Sequence, residues 1–347
     1  MNLTLLKNLS EAPGVPGREE RIRALLEPEL KGLTDSVTTD PMGSLIATIK
    51  PKNAAGKPRR LLIAAHMDEI GFYVRHVGDN GFVYVTNVGG FDTRNLLARR
   101  VMVQASGDGD QDLVGLMNPS GRPIHIAKEE DKKKVPEIHD FMIDLCLPVD
   151  EVKKKVRIGD PVTLIQSFEE IGQCVTGKCL DNRVALYVAI EGLRKAQANL
   201  KYEVVLACTV QEEVGLRGAG PAAYTSDPDV AVAIDTTLCC DTPGVPEDER
   251  VTKQGAGVAL TILDSSAIAN RPLIDSFERV AKEANIPHQL SILFRGGTDA
   301  GAIQRVRGGY PAMTLSVPTR YIHTVTECIH KTDLQSAIDL LAAWLQK

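Results

Sequence analysis

Four short apolar runs in the chain end on residues that can hold a metal or move a proton. Leu61-Leu-Ile-Ala-Ala is followed by His66-Met-Asp68-Glu69, and Val204-Val-Leu-Ala-Cys-Thr-Val by Gln211-Glu212-Glu213. Val230-Ala-Val-Ala-Ile is followed by Asp235-Thr236, and Met313-Thr-Leu-Ser-Val leads through Pro318 to His323. A fifth acid, Asp181, follows Gly177-Lys178-Cys179-Leu180 and opens an amphipathic stretch. Grouped carboxylates repel one another, and removing them from water is costly unless a positive charge sits among them. Divalent metals supply that charge. Imidazole with carboxylate suits zinc, cobalt or manganese better than magnesium or calcium. Two such ions ~3.5–4 Å apart are a known device for hydrolysis.

The elements that must place these residues can be read from the pattern. Helices are expected over 3–10 and 17–32, where Ile22, Leu25, Leu26 and Leu30 recur at helical spacing. A strand is expected over 43–49, a polar turn over 51–60, and a strand buried on both faces over 61–65. Later segments alternate: helix 181–197, strand 203–210, helix 216–226, strand 230–234, strand 258–263, helix 272–285. Strand 289–293, helix 299–305, strand 313–317 and helix 333–346 complete the series. Such alternation predicts an α/β fold, a mostly parallel sheet with helices on both faces. Ligands then bind beyond the carboxyl ends of the strands, where the His and acid residues stand.

Residues 71–167 break this rhythm. Short β-like runs alternate there with Gly, Asn and Asp, apart from a helical stretch near 150–156. They predict an inserted β-rich, barrel-like unit, with the discontinuous catalytic domain formed by 1–70 and 168–347. The charged run 128–134 within it is expected to be a solvated loop. His76, His125, His139, His288 and His330 follow no strand in this way and are expected on the surface or in the core.

Composition narrows the classes. The chain has 347 residues, a formal net charge of −5, 43 % hydrophobic and 4 % aromatic residues. This excludes collagen, long disorder and a nucleic-acid binder driven by bulk positive charge. Seven cysteines, odd in number and without a CxxC pair, suit a reduced cytoplasmic protein. The N-terminal residues read as neither a signal peptide nor a span, and no run approaches the ~18 apolar residues of a membrane helix.

Six ordered motifs carry a family likeness: AHMDE at 65–69, LDNR at 180–183, QEEVGLRG at 211–218, Ile234-Asp235-Thr236, GGTDAGA at 296–302 and RYIHT at 320–324. With them, over essentially the whole chain, the sequence resembles the M42 metallo-aminopeptidases, the glutamyl-aminopeptidase-like and TET-type enzymes. The resemblance implies a zinc-exopeptidase-like fold and a dinuclear-metal aminopeptidase. It implies two divalent ions per subunit, zinc or cobalt, with manganese as a further candidate. His66 and Asp235 would bind one ion, Glu213 and His323 the other, with Asp181 between them and a non-proline cis peptide after it. Glu212 would be the general base toward metal-activated water, and Asp68 would hydrogen-bond the free ring nitrogen of His66. The inserted unit, with Phe, Tyr and Val as candidates for exposure, would dimerise, and dimers would build a tetrahedral dodecamer. Peptides would be the substrates, with no nucleic-acid or membrane partner. Asn182, Gln304 and Thr324 depart from residues frequent among relatives. A related deacylase or carboxypeptidase would share the metal set. An endoglucanase-type glycosidase needs two carboxylates but neither histidine.

Overall fold

The computed structural model describes residues 1–52 and 56–347. Helices α1 (Thr4–Glu11) and α2 (Glu20–Leu30) lead to strands β1 (Ser36–Thr39), β2 (Leu45–Ile49) and β3 (Arg60–His66). Of the turn expected over 51–60, residues 53–55 lie outside the described residues. Next come β4 (Gly71–Val77), β5 (Val83–Val88), β6 (Arg99–Ala105), β7 (Gln111–Pro119), β8 (Phe141–Asp144), α3 (Val149–Lys155) and β9 (Pro161–Leu164). The chain continues through β10 (Glu169–Ile171), β11 (Cys174–Gly177), α4 (Leu180–Ala196), β12 (Glu203–Thr209), α5 (Ala219–Ser226) and β13 (Val230–Leu238). It ends with β14 (Val258–Leu263), α6 (Arg271–Glu283), β15 (His288–Ile292), α7 (Asp299–Ile303), β16 (Ala312–Arg320), β17 (Glu327–His330) and α8 (Lys331–Trp344).

Among the described residues, eleven strands form one sheet, in the order β1-β2-β12-β3-β13-β16-β17-β11-β10, with β14 also on β16 and β15 on β14. Its centre, β12-β3-β13-β16, is parallel, and antiparallel strands extend it on both sides. The centre is parallel because its strands are apolar on both faces and need cover on both. Leu61, Ile63 and Ala65 face the larger core with α1, α2, α4, α6 and α8. Leu62 and Ala64 face the other way, onto the alanine-rich contact with α5 and α7. Each Leu or Ile fully buried in this way contributes about 1.5–3 kcal/mol.

Residues 71–164 build a closed barrel, β4-β5-β8-β7-β6-β9, which closes through pairing of β4 with β9. Its interior is a core of its own, around Phe72, Val85, Val103, Met117, Phe141 and Ile143. Gly115 on β7 leaves room there: a Cβ would lie 2.4 Å from Ile143 Cγ2. The barrel surface exposes Val114, Leu116, Ile124, Ile126 and Val135. Its phenylalanines and tyrosines are buried or half-buried, contrary to the expected exposure of Phe and Tyr. Phe72 and Phe141 fill the barrel core with Phe91 packed against it, and Tyr73 turns outward to donate to the Pro16 carbonyl.

Several boundaries differ from the sequence reading. Strands β13 and β16 run four residues past Ile234 and three past Val317, because their mutual pairing continues from Asp235↔Ser316 to Leu238↔Thr319. The helix expected from 216 begins at Ala219. Gln211, Gly215 and Leu216 have positive φ, and the Glu212 carbonyl accepts the N–H groups of Gly215 and Leu216, so 210–218 is a tight loop instead. Strands β1, β10, β11 and β17 were not expected. They are short, and β1 and β10 are fully exposed, so they lack an apolar signature. Among the described residues, no helix is long and apolar enough to cross a membrane.

Candidate active site

The carboxyl ends of the central strands bring the expected residues together. His66 ends β3, Asp235 stands within β13, Glu212 and Glu213 lie in the loop after β12, and His323 lies in the loop between β16 and β17. Asp181 precedes the regular part of α4, with non-helical φ/ψ at Asp181 and Asn182 and a cis peptide between them. Ligand atoms lie within 4.8 Å of one another in His66, Glu212 and Glu213, and in two further donor triads: His66, Asp181 and Asp235, and Asp181, Glu213 and His323. Asp181 belongs to both of the latter. Its Oδ1 lies 3.4 Å from His66 Nε2 and its Oδ2 3.6 Å from His323 Nε2. Glu213 Oε2 is 3.4 Å from His323 Nε2, while Asp235 Oδ1 and Glu212 Oε2 each lie 3.8 Å from His66 Nε2. The other five histidines lie outside this cluster, exposed or half-buried.

Buried side chains hold these groups in place. His66 Nδ1 lies 3.1 Å from the main-chain carbonyl of Asp68, closer than the Asp68 carboxylate at 3.6 Å. The expected contact to the ring is thus made first by the backbone. A proton on Nδ1, donated to that carbonyl, leaves Nε2 with the lone pair facing the cluster. The Asp68 carboxylate is engaged elsewhere: it accepts the N–H groups of Glu212 and Glu213, both at 3.0 Å. Replacing Asp68 by Asn leaves one acceptor for two donors. We expect Asp68→Asn to lower turnover by about 10–100-fold with little change in KM, read from steady-state kinetics. A variant with native turnover would remove Asp68 from the machinery.

Glu69 organises the approach to Asp181. It accepts from Gly14 N at 2.9 Å and Lys178 Nζ at 2.6 Å, and also from the Cys179 thiol. Arg183, fully buried on α4, donates to the carbonyls of Leu9 and Ala12 and ties the N-terminal segment beneath the site. Asn182 donates from Nδ2 to the Ile234 carbonyl. An ionised Asp at 182 could not make that bond, so Asn carries a structural contact of its own between α4 and β13.

The electrostatics follow from crowding. Burial pushes Glu212 well above the ordinary carboxylate range, and Asp235, Glu213 and Asp299 add to this against the pull of His66. Burial also raises Asp235 and Glu213. Burial alone would lower His66, but Glu212, Asp181 and Asp68 outweigh it and hold the imidazole well above its usual range. His323 is likewise drawn up to about 10 by Glu213 and Asp181, against the effect of burial. Asp181 alone is held below its ordinary value: the two imidazoles overcome its desolvation. The cluster thus carries more negative charge than its protein partners neutralise. Imidazole nitrogens and carboxylate oxygens at this spacing are a donor set that fits divalent transition metals.

These groups line a cavity of about 530 Å³. Leu216, Leu238, Leu293 and Ile322 give it apolar walls, and Ser265, Ser266, Arg295 and the 296–298 loop close the far side. Two acids beside the site were missed in the sequence. Asp299, buried at the start of α7, accepts from Thr209 Oγ1 at 2.5 Å, and burial pushes it up to about 6. Glu327, 2 % exposed, accepts two main-chain N–H groups of the site. Asp299 could have been suspected from its place in GGTDAGA. Glu327 had no signal beyond lying four residues after His323.

Comparison with known proteins places the chain. The model of the M42 glutamyl aminopeptidase family matches residues 43–340. A putative aminopeptidase of Acetivibrio thermocellus is 35 % identical, with 97 % of this chain and 96 % of that protein covered. The solved TET aminopeptidase of a marine-sediment Thaumarchaeota archaeon superposes with a TM-score of 0.93 at 34 % identity, covering 99 % and 96 %. The TET1 peptidase of Pyrococcus horikoshii, described as assembling into a tetrahedron or a large octahedral shell, gives 0.86 at 32 %, covering 98 % of each. Fold, site and likeness define the class: an α/β metallopeptidase, a hydrolase acting on peptides. The chain belongs to the M42 glutamyl aminopeptidase family. Aminopeptidase activity is the function this family supports.

Proposed function

We propose that this protein is a dinuclear-metal aminopeptidase that removes N-terminal residues from peptides. The observation that carries the reading is the pair of donor triads sharing Asp181 on the floor of the cavity. His66 and Asp235 would hold one divalent ion, Glu213 and His323 the other, and Asp181 both. Zinc and cobalt suit these donors best, with manganese also compatible. Bound there, the ions would supply Lewis acidity toward water and toward the scissile carbonyl.

The chain's own residues do the rest. Carboxylates around the cavity floor can accept the N–H groups of a peptide's free α-amino group, which an internal bond lacks, and so favour a free N-terminus. The apolar walls receive the first side chain. Glu212 lies beside His66 with its carboxylate toward the cluster, buried where a proton is easily kept. As general base it takes a proton from the attacking water, and as general acid it returns that proton to the leaving amine. Asp68 holds the loop that carries it.

The exposed Val114, Leu116, Ile124, Ile126 and Val135 support a role of the barrel, within an inserted unit 71–167, in joining copies of the chain. We place the enzyme in the cytoplasm, as its seven free thiols suggest.

The test is a panel of aminoacyl-p-nitroanilides, free and N-acetylated, with zinc, cobalt or manganese added. Cleavage confined to the free amines is the expected result. Failure on every member, with hydrolysis of N-acyl amino acids instead, would favour a deacylase and overturn the reading.

A further inference from the structure

The proposed ligands differ in what fixes them. His66 and Asp235 stand on strands of the parallel centre, where ladder hydrogen bonds set the backbone. Glu213 lies off the strands, but its N–H is held by Asp68. Asp181 and His323 also lie off the strands, in segments whose backbone has no repeating support. Asp181 sits in non-helical conformation between β11 and α4. His323 has φ +63°, the left-handed region that is unfavourable for a non-glycine residue and persists only where its surroundings impose it.

One side chain reaches both. Glu327, the first residue of β17, is buried opposite Gly177 of β11 in the sheet register. Its Oε2 accepts Asp181 N–H and its Oε1 accepts His323 N–H, each at 2.9 Å. Two oxygens of one rigid carboxylate therefore fix the distance between the two main-chain segments. That distance matters because Asp181 Oδ2 and His323 Nε2 face each other at 3.6 Å across the second triad. A carboxyl group offers two acceptor oxygens held in one rigid plane, which suits a clamp of this kind.

We propose that Glu327 is a positioning residue that sets Asp181 against His323 and so builds the second metal position. It touches no substrate and acts only through these two backbones. The proposal rests on the reading of Asp181 and His323 as metal ligands. In Glu327→Gln one oxygen still accepts, but the amide nitrogen meets the other N–H, and one side of the clamp is lost.

The experiment titrates cobalt(II) into metal-free wild-type, Glu327→Gln and Glu327→Asp proteins. Calorimetry and the visible cobalt spectrum follow binding, after circular dichroism has shown each to be folded. Wild type is expected to take two ions per chain. Asp181 is read as holding both ions but His323 only the second, so Glu327→Gln should bind the second at least about tenfold more weakly and the first by a clearly smaller factor, with an altered spectrum for the second equivalent. Glu327→Asp keeps the charge but is one methylene too short to reach both amides, and should show the same selective loss even if the Gln variant fails to fold. A purely structural role would weaken both equivalents by the same factor, or neither. Two native-affinity ions on either folded variant would overturn the proposal. Fewer than two ions on the wild type would overturn the dinuclear reading itself, and the clamp with it.

Discussion

Glu212→Gln is expected to keep the fold and the metal-binding groups while turnover falls by about 10²–10⁴-fold, the usual contribution of a positioned general base. The change is isosteric. The Glu212 N–H still meets Asp68, and the loop of 210–218 keeps its internal hydrogen bonds, because none of them uses the Glu212 side chain. What disappears is the capacity to accept and return a proton next to the cluster. Neighbouring Glu213 is already engaged, since its carboxylate faces His323 at 3.4 Å and is read as a ligand of the second ion. KM should move little, because the amide occupies the same volume at the cavity floor. The measurement is kcat on a cleavable nitroanilide beside the metal content of the purified variant. Native turnover with native metal content would end the assignment of Glu212 as the base.

Removal of divalent metal should have the larger effect still. Chelation is expected to bring activity to background, and cobalt, zinc or manganese to restore it, with magnesium and calcium failing. The physical reason lies in the crowding of Glu212, Glu213 and Asp235, each raised by burial and none paired with Lys or Arg. Ions that neutralise this crowd bind the folded chain and not the unfolded one. At a hundred times the dissociation constant they add about 2.7 kcal/mol of stability, a rise of several degrees in Tm. Activity assays and thermal unfolding on chelated and reloaded protein test both halves. Full activity in protein shown to be metal-free would remove the mechanism.

What the sequence discloses here, and what it hides, has a physical pattern. Runs such as Leu61–Ala65 and Val230–Ile234 announce buried parallel strands because both faces are apolar, and the residue after such a run must lie at the ligand-binding edge. His66 and the Glu212–Glu213 pair were therefore legible from position alone. Asp235 was too, although its strand runs on beyond it. Asp181 was less so: taken alone it reads as a helix cap, and only its company with the other donors lifts it. Of the supporting residues, Asp68 was named only through the family resemblance, and for a contact to His66, and Glu327 had no signal. Asp68 and Glu327 act by receiving main-chain N–H groups from segments far away in the sequence, and no periodicity records such a bond. The short strands β11 and β17, which bring Gly177 and Glu327 side by side, are too brief to stand out. Residues 216–218 of the loop 210–218 read as the start of a helix because left-handed Leu216 is not a glycine.

The order of strands has a consequence for how the molecule is made. Strand β3 lies between β12 and β13, yet both follow the whole barrel in the chain. During synthesis, Leu61–Ala65 leaves the ribosome with neither lateral partner in existence. At about 5–20 residues per second, roughly 10–35 s pass before residue 238 is made. The barrel, built from antiparallel neighbours within 71–164, can close in that interval. The sheet around His66 cannot. A nascent chain halted near residue 170 should therefore present a folded barrel beside an unpaired apolar strand, the form in which a chaperone would meet it.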